Sequence, residues 1–325
     1  MILVTGGAGY IGSHVVLELK RNGEEVAVLD NLDRGHSDLT FGDVFEEGDL
    51  RNFPFLDSVF KKYSFEAVVH FAASSLVGAS MSDPETYYYN NIFGTLNLLR
   101  AMRINSVRKI VFSSSAAVYG EPESVPISEE TDLVPTNVYG ETKLFIESML
   151  ERYNQAYGLD SIAFRYFNAA GADPELLTGE DHTPETHLIP IVLDAAMGKR
   201  KNITVFGTDY PTPDGTCIRD YIHVSDLAGA HVLGLKKLLS GLEGKHSYNL
   251  GNGSGYSVMQ IIESAKKVTG KDIAVSLGAR RQGDPAVLVA SSAKAEKELG
   301  WVRKHASIDD MISTAWNWHR KRFAR

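Results

Sequence analysis

The chain has 325 residues, 43% of them apolar and 23% charged, and its 33 basic and 41 acidic residues leave a formal net charge of -8. That length predicts about two domains with a sizeable core, and the composition excludes a disordered chain. The acidic balance disfavours non-specific binding to nucleic acid or to an anionic membrane surface. No apolar run approaches the roughly 20 residues of a membrane span, and Met1 reads straight into an apolar strand rather than into a secretory signal. The single cysteine, Cys217, cannot form an internal disulfide, so a cytoplasmic location is expected. The basic run His319-Arg320-Lys321-Arg322 reads as a solvated helix end.

Two β-rich runs, Ile2-Leu3-Val4-Thr5 and Glu25-Val26-Ala27-Val28-Leu29-Asp30, flank a segment with Ile11, Val15 and Leu19 at helical spacing, which stops at Gly23. This is a βαβ unit. The alternation recurs with Ala67-Val68-Val69-His70-Phe71 and a helical stretch near residues 90–104, then with Lys109-Ile110-Val111-Phe112, a helix after Pro135, and Ser161-Ile162-Ala163-Phe164-Arg165. Apolar strands separated by amphipathic helices predict an α/β fold, a doubly wound parallel sheet of the Rossmann kind. Beyond Asn168, segments punctuated by proline and glycine predict a smaller C-terminal α/β substrate domain. The expected division is residues 1–170 and 171–325, with elements free to interleave.

Between the first strand and helix lies Thr5-Gly6-Gly7-Ala8-Gly9-Tyr10-Ile11-Gly12, which fits G-x-G-x-x-G in the strand-to-helix context that phosphate binding needs. Asp30 closes the second strand, where a carboxylate accepts hydrogen bonds from an adenosine ribose and repels a 2'-phosphate. NAD is therefore the expected cofactor. A second glycine-rich run, Gly251-Asn252-Gly253-Ser254-Gly255, has the wrong spacing, and Ser257 with Gln260 reads as a capping box at a strand-to-helix turn.

After Pro135, Tyr139, Lys143, Ile146 and Leu150 share one helix face, so a phenol and an ammonium stand together. A cationic lysine and an oxidised nicotinamide would both stabilise the phenolate, which makes Tyr139 the expected general base. Ser113-Ser114-Ser115 ends a parallel strand, where such sheets bind ligands, so a serine there is placed to share a substrate oxygen with Tyr139.

With these motifs in this order, the sequence resembles the extended short-chain dehydrogenase/reductase family, and within it the UDP-galactose 4-epimerases. The resemblance spans nearly the whole chain. Its more specific blocks are Val28-Leu29-Asp30-Asn31-Leu32, Gly48-Asp49-Leu50-Arg51, Phe112 to Gly120, Arg165-Tyr166-Phe167-Asn168, Phe206-Gly207-Thr208-Asp209-Tyr210 and Arg219-Asp220-Tyr221-Ile222-His223-Val224. The resemblance implies interconversion of UDP-galactose and UDP-glucose through a 4-keto sugar, with Ser115, Tyr139 and Lys143 as the catalytic group. The implied NAD site holds Gly6, Gly9, Tyr10, Ile11, Gly12, Asp30, Asn31, Asp49, Leu50, Phe71, Asn90 and Phe167 together with Tyr139 and Lys143. For the nucleotide-sugar it implies Asn168, Arg219 and Arg281 at the diphosphate, Asp284 at the uridine ribose and the backbone of Thr204, Val205 and Phe206 at uracil. His187 and Leu188 fall on the substrate loop, and Leu288 beside the hexose 2-substituent. The implied partner is a second copy of the chain, joined through helices near residues 91–104 and 142–153.

Two positions depart from better-known members: Ser75 stands where many carry a lysine, and His187 where asparagine is common. The alternatives on the same scaffold are an epimerase of another UDP-sugar and a dehydratase, with a non-catalytic NAD-sensing regulator more distant. Ala116-Ala117 after Ser115 argues against elimination, and retention of Tyr139 and Lys143 against the regulator. The run Glu180-Asp181-His182-Thr183-Pro184-Glu185-Thr186-His187 looks superficially metal-binding. Pro184 and the residue spacing do not suit a helical H-E-x-x-H site, so no metal is expected.

Overall fold

The structure is a computed structural model that describes residues 1–280 and 285–323. Its N-terminal half runs β1 (Ile2–Thr5), α1 (Tyr10–Arg21), β2 (Val26–Asp30), β3 (Val44–Glu47), α2 (Phe53–Lys62), β4 (Ala67–His70), two short helices α3 (Val77–Ser82) and α4 (Pro84–Tyr87), α5 (Gly94–Ile104), β5 (Lys109–Ser113), α6 (Val138–Tyr157) and β6 (Asp160–Tyr166). The rest comprises β7 (Asn168–Ala170), α7 (Leu188–Ala196), β8 (Ile203–Phe206), β9 (Ile218–His223), α8 (Val224–Leu239), β10 (Lys245–Leu250), β11 (Gly255–Ser257), α9 (Val258–Thr269), β12 (Val275–Gly278), β13 (Val287–Leu288), α10 (Ala293–Leu299) and α11 (Ile308–Phe323).

Among the described residues, one sheet has seven strands in the order β10-β6-β5-β4-β1-β2-β3, all parallel. Every residue of β1, β2 and β4 is buried, because helices cover both faces and leave no polar side for alternation to serve. Val15, Val16 and Leu19 of α1 pack on one face with Leu227, Ala228 and Leu235 of α8. Leu56 of α2, Leu98 and Met102 of α5 and Ile146 and Leu150 of α6 pack on the other. Strand β10 pairs with β6 in register from Lys245 opposite Ser161 to Leu250 opposite Tyr166, so chain from beyond residue 170 completes this sheet.

The later strands build two smaller sheets, one in which β9 pairs with β7, β11 and β13, and one joining β8 to β12. A third core lies between them and α7, α9 and α11, around Ile189, Leu193, Ile262, Ile312 and Trp316. Gly255 opens β11, and the expected capping box forms at the start of α9, where Ser257 and Gln260 satisfy each other's backbone N–H. No helix of the described residues is long and apolar enough to cross a membrane.

Candidate active site

Strand order reverses between β1 and β4, which carry the chain to opposite edges of the sheet, and the carboxyl ends of strands open into a crevice at such a switch point. A cleft of about 640 Å³ lies there. Its lining brings together Gly6, Gly9, Tyr10, Ile11, Gly12, Asp30, Asn31, Asp49, Leu50, Phe71, Asn90, Ser115, Tyr139, Lys143, Phe167, Asn168 and His187, residues that are scattered along the sequence. Ser75 lines it too.

The glycine loop is closed too tightly for side chains at two points. Gly6 has φ +73°, and a Cβ there would lie 2.6 Å from the Ala72 nitrogen. A Cβ on Gly12 would meet the Gly6 carbonyl oxygen at 2.1 Å, so the first turn of α1 rests directly on the loop. The free N–H groups of that turn are the anion cradle a pyrophosphate requires, and the residues present fit a dinucleotide. Asp30 is buried, which raises its carboxyl pKa, while backbone N–H groups act the other way. Its Oδ2 accepts from Ala8 N at 3.0 Å and its Oδ1 from Leu32 N at 2.9 Å, so the carboxylate that would meet a ribose also fixes the loop. Asp49 accepts from Asn31 Nδ2 at 3.0 Å and pairs with Arg51, whose hydrogen bonds hold its pKa down at about 2.

On the opposite wall, Asn137 caps α6 by accepting from Gly140 N at 2.9 Å, and the helix delivers Tyr139 and Lys143 to the cleft. The backbone N–H of Tyr139 donates to Ser80 Oγ at 3.1 Å. Lys143 Nζ donates to the Ser113 carbonyl at 2.7 Å and lies 5.6 Å from the centroid of the Tyr139 ring. Electrostatics differ here from the sequence-based expectation. Burial pushes the Tyr139 phenol up to about 12, with the Ser115 side chain pulling it down by hydrogen bonding, and burial takes the Lys143 ammonium down to about 7. Desolvation is the largest influence on both groups, favouring the neutral phenol and the neutral amine.

Several supporting groups carry no motif. A π-helical stretch, Tyr88–Phe93, links α4 to α5, and from it Asn91 Oδ1 accepts from Ser74 N while its Nδ2 donates to Ser74 O and Thr142 Oγ1. Asn90 Nδ2 donates to Ser74 Oγ at 2.9 Å. Behind the strand-end serines, Ser114 Oγ donates at 2.6 Å to Glu147, which accepts two hydrogen bonds from Arg165 at 2.9 and 2.6 Å. The signal for this pair was a glutamate four residues after Lys143 on the apolar face of a helix, since a carboxylate buried there requires a cation.

The candidate substrate residues divide. Asn168 lies in the cleft and its Nδ2 donates to the Asp220 carbonyl at 2.9 Å. Arg219 and Leu288 are partners in the β9–β13 register, and Asn168 of β7 pairs with Tyr221 of β9. Leu288, Ala116 and Phe167 all pack against the small core of Val118, Tyr119 and Ile127, and Phe167 itself lines the cleft. Leu188 opens α7. Thr204, Val205 and Phe206 lie on β8, where alternation buries Val205 in the third core and leaves Thr204 and Phe206 exposed. Leu188, Thr204, Val205, Phe206, Arg219 and Leu288 are not among the residues lining this cleft. Arg281 and Asp284 lie outside the described residues.

Residues 2–251 match the model of the NAD dependent epimerase/dehydratase family. The chain is 54% identical over 321 residues to a UDP-glucose 4-epimerase of Halalkalibacterium halodurans, covering 98% of this chain and 96% of that one. It superposes with TM-score 0.94 and 47% identity on UDP-glucose 4-epimerase from Brucella ovis in complex with NAD, covering 97% of each chain. With the Bifidobacterium longum UDP-glucose 4-epimerase in complex with NAD+ and UDP the TM-score is 0.93 at 41% identity, covering 99% of this chain and 98% of that one. A parallel sheet with its glycine loop and its Tyr139 and Lys143 at one switch point, and a match over most of its length, place the chain in the NAD dependent epimerase/dehydratase family.

Proposed function

We propose that the protein interconverts UDP-galactose and UDP-glucose, with NAD as cofactor and Ser115, Tyr139 and Lys143 as the catalytic group. The observation that carries this reading is the convergence of Ser115, Tyr139 and Lys143 with the glycine loop in one cleft, and the relatives named above support it. NAD, when bound, supplies a hydride acceptor that returns the hydride at the end of the cycle. Tyr139 takes the proton from the sugar O4 and gives one back, and the Ser115 hydroxyl, hydrogen-bonded to it, shares that oxygen. Lys143, anchored on the Ser113 carbonyl, adds positive potential beside the phenol and restrains the first turn of α6. Ser115 is followed by Ala116 and Ala117, which offer no acid for the elimination a dehydratase performs. Incubating the purified protein with UDP-galactose alone, then resolving the nucleotide-sugars, tests the reading; absence of UDP-glucose even after NAD is added would reject it.

Residues 1–170 are proposed to carry NAD and residues 171–325 the UDP-sugar, with β10 and α8 reaching back into the first unit. Asn168, Arg219 and Arg281 are assigned to the diphosphate, Asp284 to the uridine ribose, the Thr204 to Phe206 backbone to uracil, and His187 and Leu188 to the substrate loop. The proposed assembly is a two-fold homodimer through α5 and α6, in keeping with Tyr89, Phe93, Leu96 and Phe145, which stay exposed on these helices and the turn before them. A cytoplasmic location belongs to the same proposal.

Two expectations follow. The buried Asp30 carboxylate sets cofactor choice, because a 2'-phosphate beside it meets like-charge repulsion in a partly desolvated pocket. Cofactor-stripped protein should regain activity with NAD at least about tenfold better than with NADP, and equal rescue by the two would contradict the assignment. Leu288→Ser should raise kcat/KM for UDP-N-acetylglucosamine relative to UDP-glucose, since a packed wall tolerates added volume poorly. An unchanged ratio would show that Leu288 does not bound the sugar.

A further inference from the structure

Between β7 and α7 the chain crosses the rim of the cleft as a loop, and residues 180–187 place two imidazoles and two carboxylates against one another. Glu180 Oε1 lies 2.7 Å from His187 Nδ1 and 3.3 Å from His182 Nδ1. Glu185 reaches His187 Nδ1 at 2.9 Å and His182 Nδ1 at 3.8 Å. One ligand atom from each of the four residues lies within 4.8 Å of all the others. The edge of a tetrahedron around zinc, with ligands at its usual bond lengths, is about 3.4 Å, so the two short contacts of His187 must lengthen and the wider separations shorten for the four side chains to close around an ion.

The expectation of no metal compared this run with a helical H-E-x-x-H pair, and that comparison does not apply to a loop. Here the spacing of ligands is set by the loop rather than by a helical turn. His182 Nδ1 is buried and has no aligned hydrogen-bond partner, although Glu180 stands beside it. A buried nitrogen left this way is costly unless a further atom uses its lone pair.

We propose that Glu180, His182, Glu185 and His187 form a binding site for one divalent transition-metal ion of the zinc class. Two carboxylates and two neutral imidazoles neutralise a dication, and mixed nitrogen and oxygen donors suit zinc, whereas calcium takes six to eight oxygens and magnesium holds its water. The surrounding contacts hold the loop in place. The Glu180 carbonyl accepts from Trp318 Nε1 at 3.1 Å, and Glu185 Oε1 accepts from the backbone N–H groups of Thr186 and His187, both at 2.7 Å. On Asp181, the carboxylate takes Arg322 Nε at 2.7 Å, and the carbonyl meets His36 Nε2 at 2.8 Å. Such outer partners fix the orientation of ligands.

Four protein ligands leave no open coordination position, so the ion's role is structural: it staples the loop to the cleft rim, where the His182 ring meets Tyr10 of the glycine loop edge-on at 6.3 Å. Coordination through Nδ1 leaves the proton of His187 on Nε2, which makes that nitrogen a donor on the cleft wall. The site does not depend on the identity of the sugar.

The test measures metal by mass spectrometry in the full-length, NAD-loaded protein after chelation, reloading with zinc and exhaustive dialysis. About one equivalent of zinc per chain is expected, undisplaced by millimolar magnesium, and cobalt in its place should give the intense visible bands of a tetrahedral site. The double variant His182→Ala, Glu185→Gln should retain less than about a tenth of an equivalent. Wild-type protein that keeps less than about a fifth of an equivalent overturns the proposal, and so does a double variant that keeps as much as wild type, since the ion then sits elsewhere. Should the double variant fail to fold, the cobalt spectrum of the wild type decides, because an octahedral or absent spectrum also overturns it.

Discussion

Tyr139→Phe should lower turnover about a thousandfold while leaving the fold and NAD binding nearly unchanged. The substitution removes one oxygen from a ring held by the first turn of α6, and its backbone hydrogen bond to Ser80 does not involve the phenol. What is lost is the proton acceptor for the sugar hydroxyl. With burial holding this phenol up at about 12, its activation depends on positive charge beside it, from Lys143 and from the bound cofactor. Lys143→Ala should therefore also be severe, and following NAD binding by calorimetric titration alongside turnover separates binding from chemistry. A Tyr139→Phe variant that keeps more than a tenth of wild-type turnover would remove Tyr139 from the role of base.

Arg165→Met should destabilise the protein by about 3–5 kcal/mol, because it removes the cation that hydrogen-bonds the buried Glu147 carboxylate and leaves the more distant Lys245, 3.6 Å away. Both side chains are nearly inaccessible, Arg165 at 3% and Glu147 at 1%. Burial raises the Glu147 carboxyl pKa, but the Arg165 hydrogen bonds and charge overcome it and hold the group below its ordinary value. In the wild type this depressed pKa contributes stability above the unfolded carboxyl range, which is lost as pH falls through the folded value. In the variant the sign reverses: without the Arg165 hydrogen bonds burial raises the carboxyl, its cost is full at pH 8, and it fades as pH falls toward 5. Thermal unfolding should show a Tm lower by roughly 6 °C or more at pH 8 and a smaller deficit at pH 5. Equal deficits at the two pH values would show that the charge of Glu147 is not the cause. Adding Glu147→Leu should recover most of the loss, since removing both partners leaves no buried charge.

The sequence by itself determined the Rossmann sheet, because strands covered on both faces must be continuously apolar and glycine alone fits the turn between β1 and α1. Gly6, Gly12 and Asp30 were legible for that reason, and Tyr139 with Lys143 because four residues are one turn of a helix. The tertiary structure decided what depends on distant chain segments. Strand β10 joins the first sheet across more than 70 residues of sequence from β6, which no local periodicity encodes. Arg165 meets Glu147 only because β6 passes behind α6, and Asn91 reaches Ser74 only because a π-helical stretch turns it there. Residues 180–187 lie on a loop, to which a comparison with a helical spacing does not apply. The distances among Glu180, His182, Glu185 and His187 are those of a loop folded onto itself, and loop geometry is set by what it packs against rather than by residue spacing.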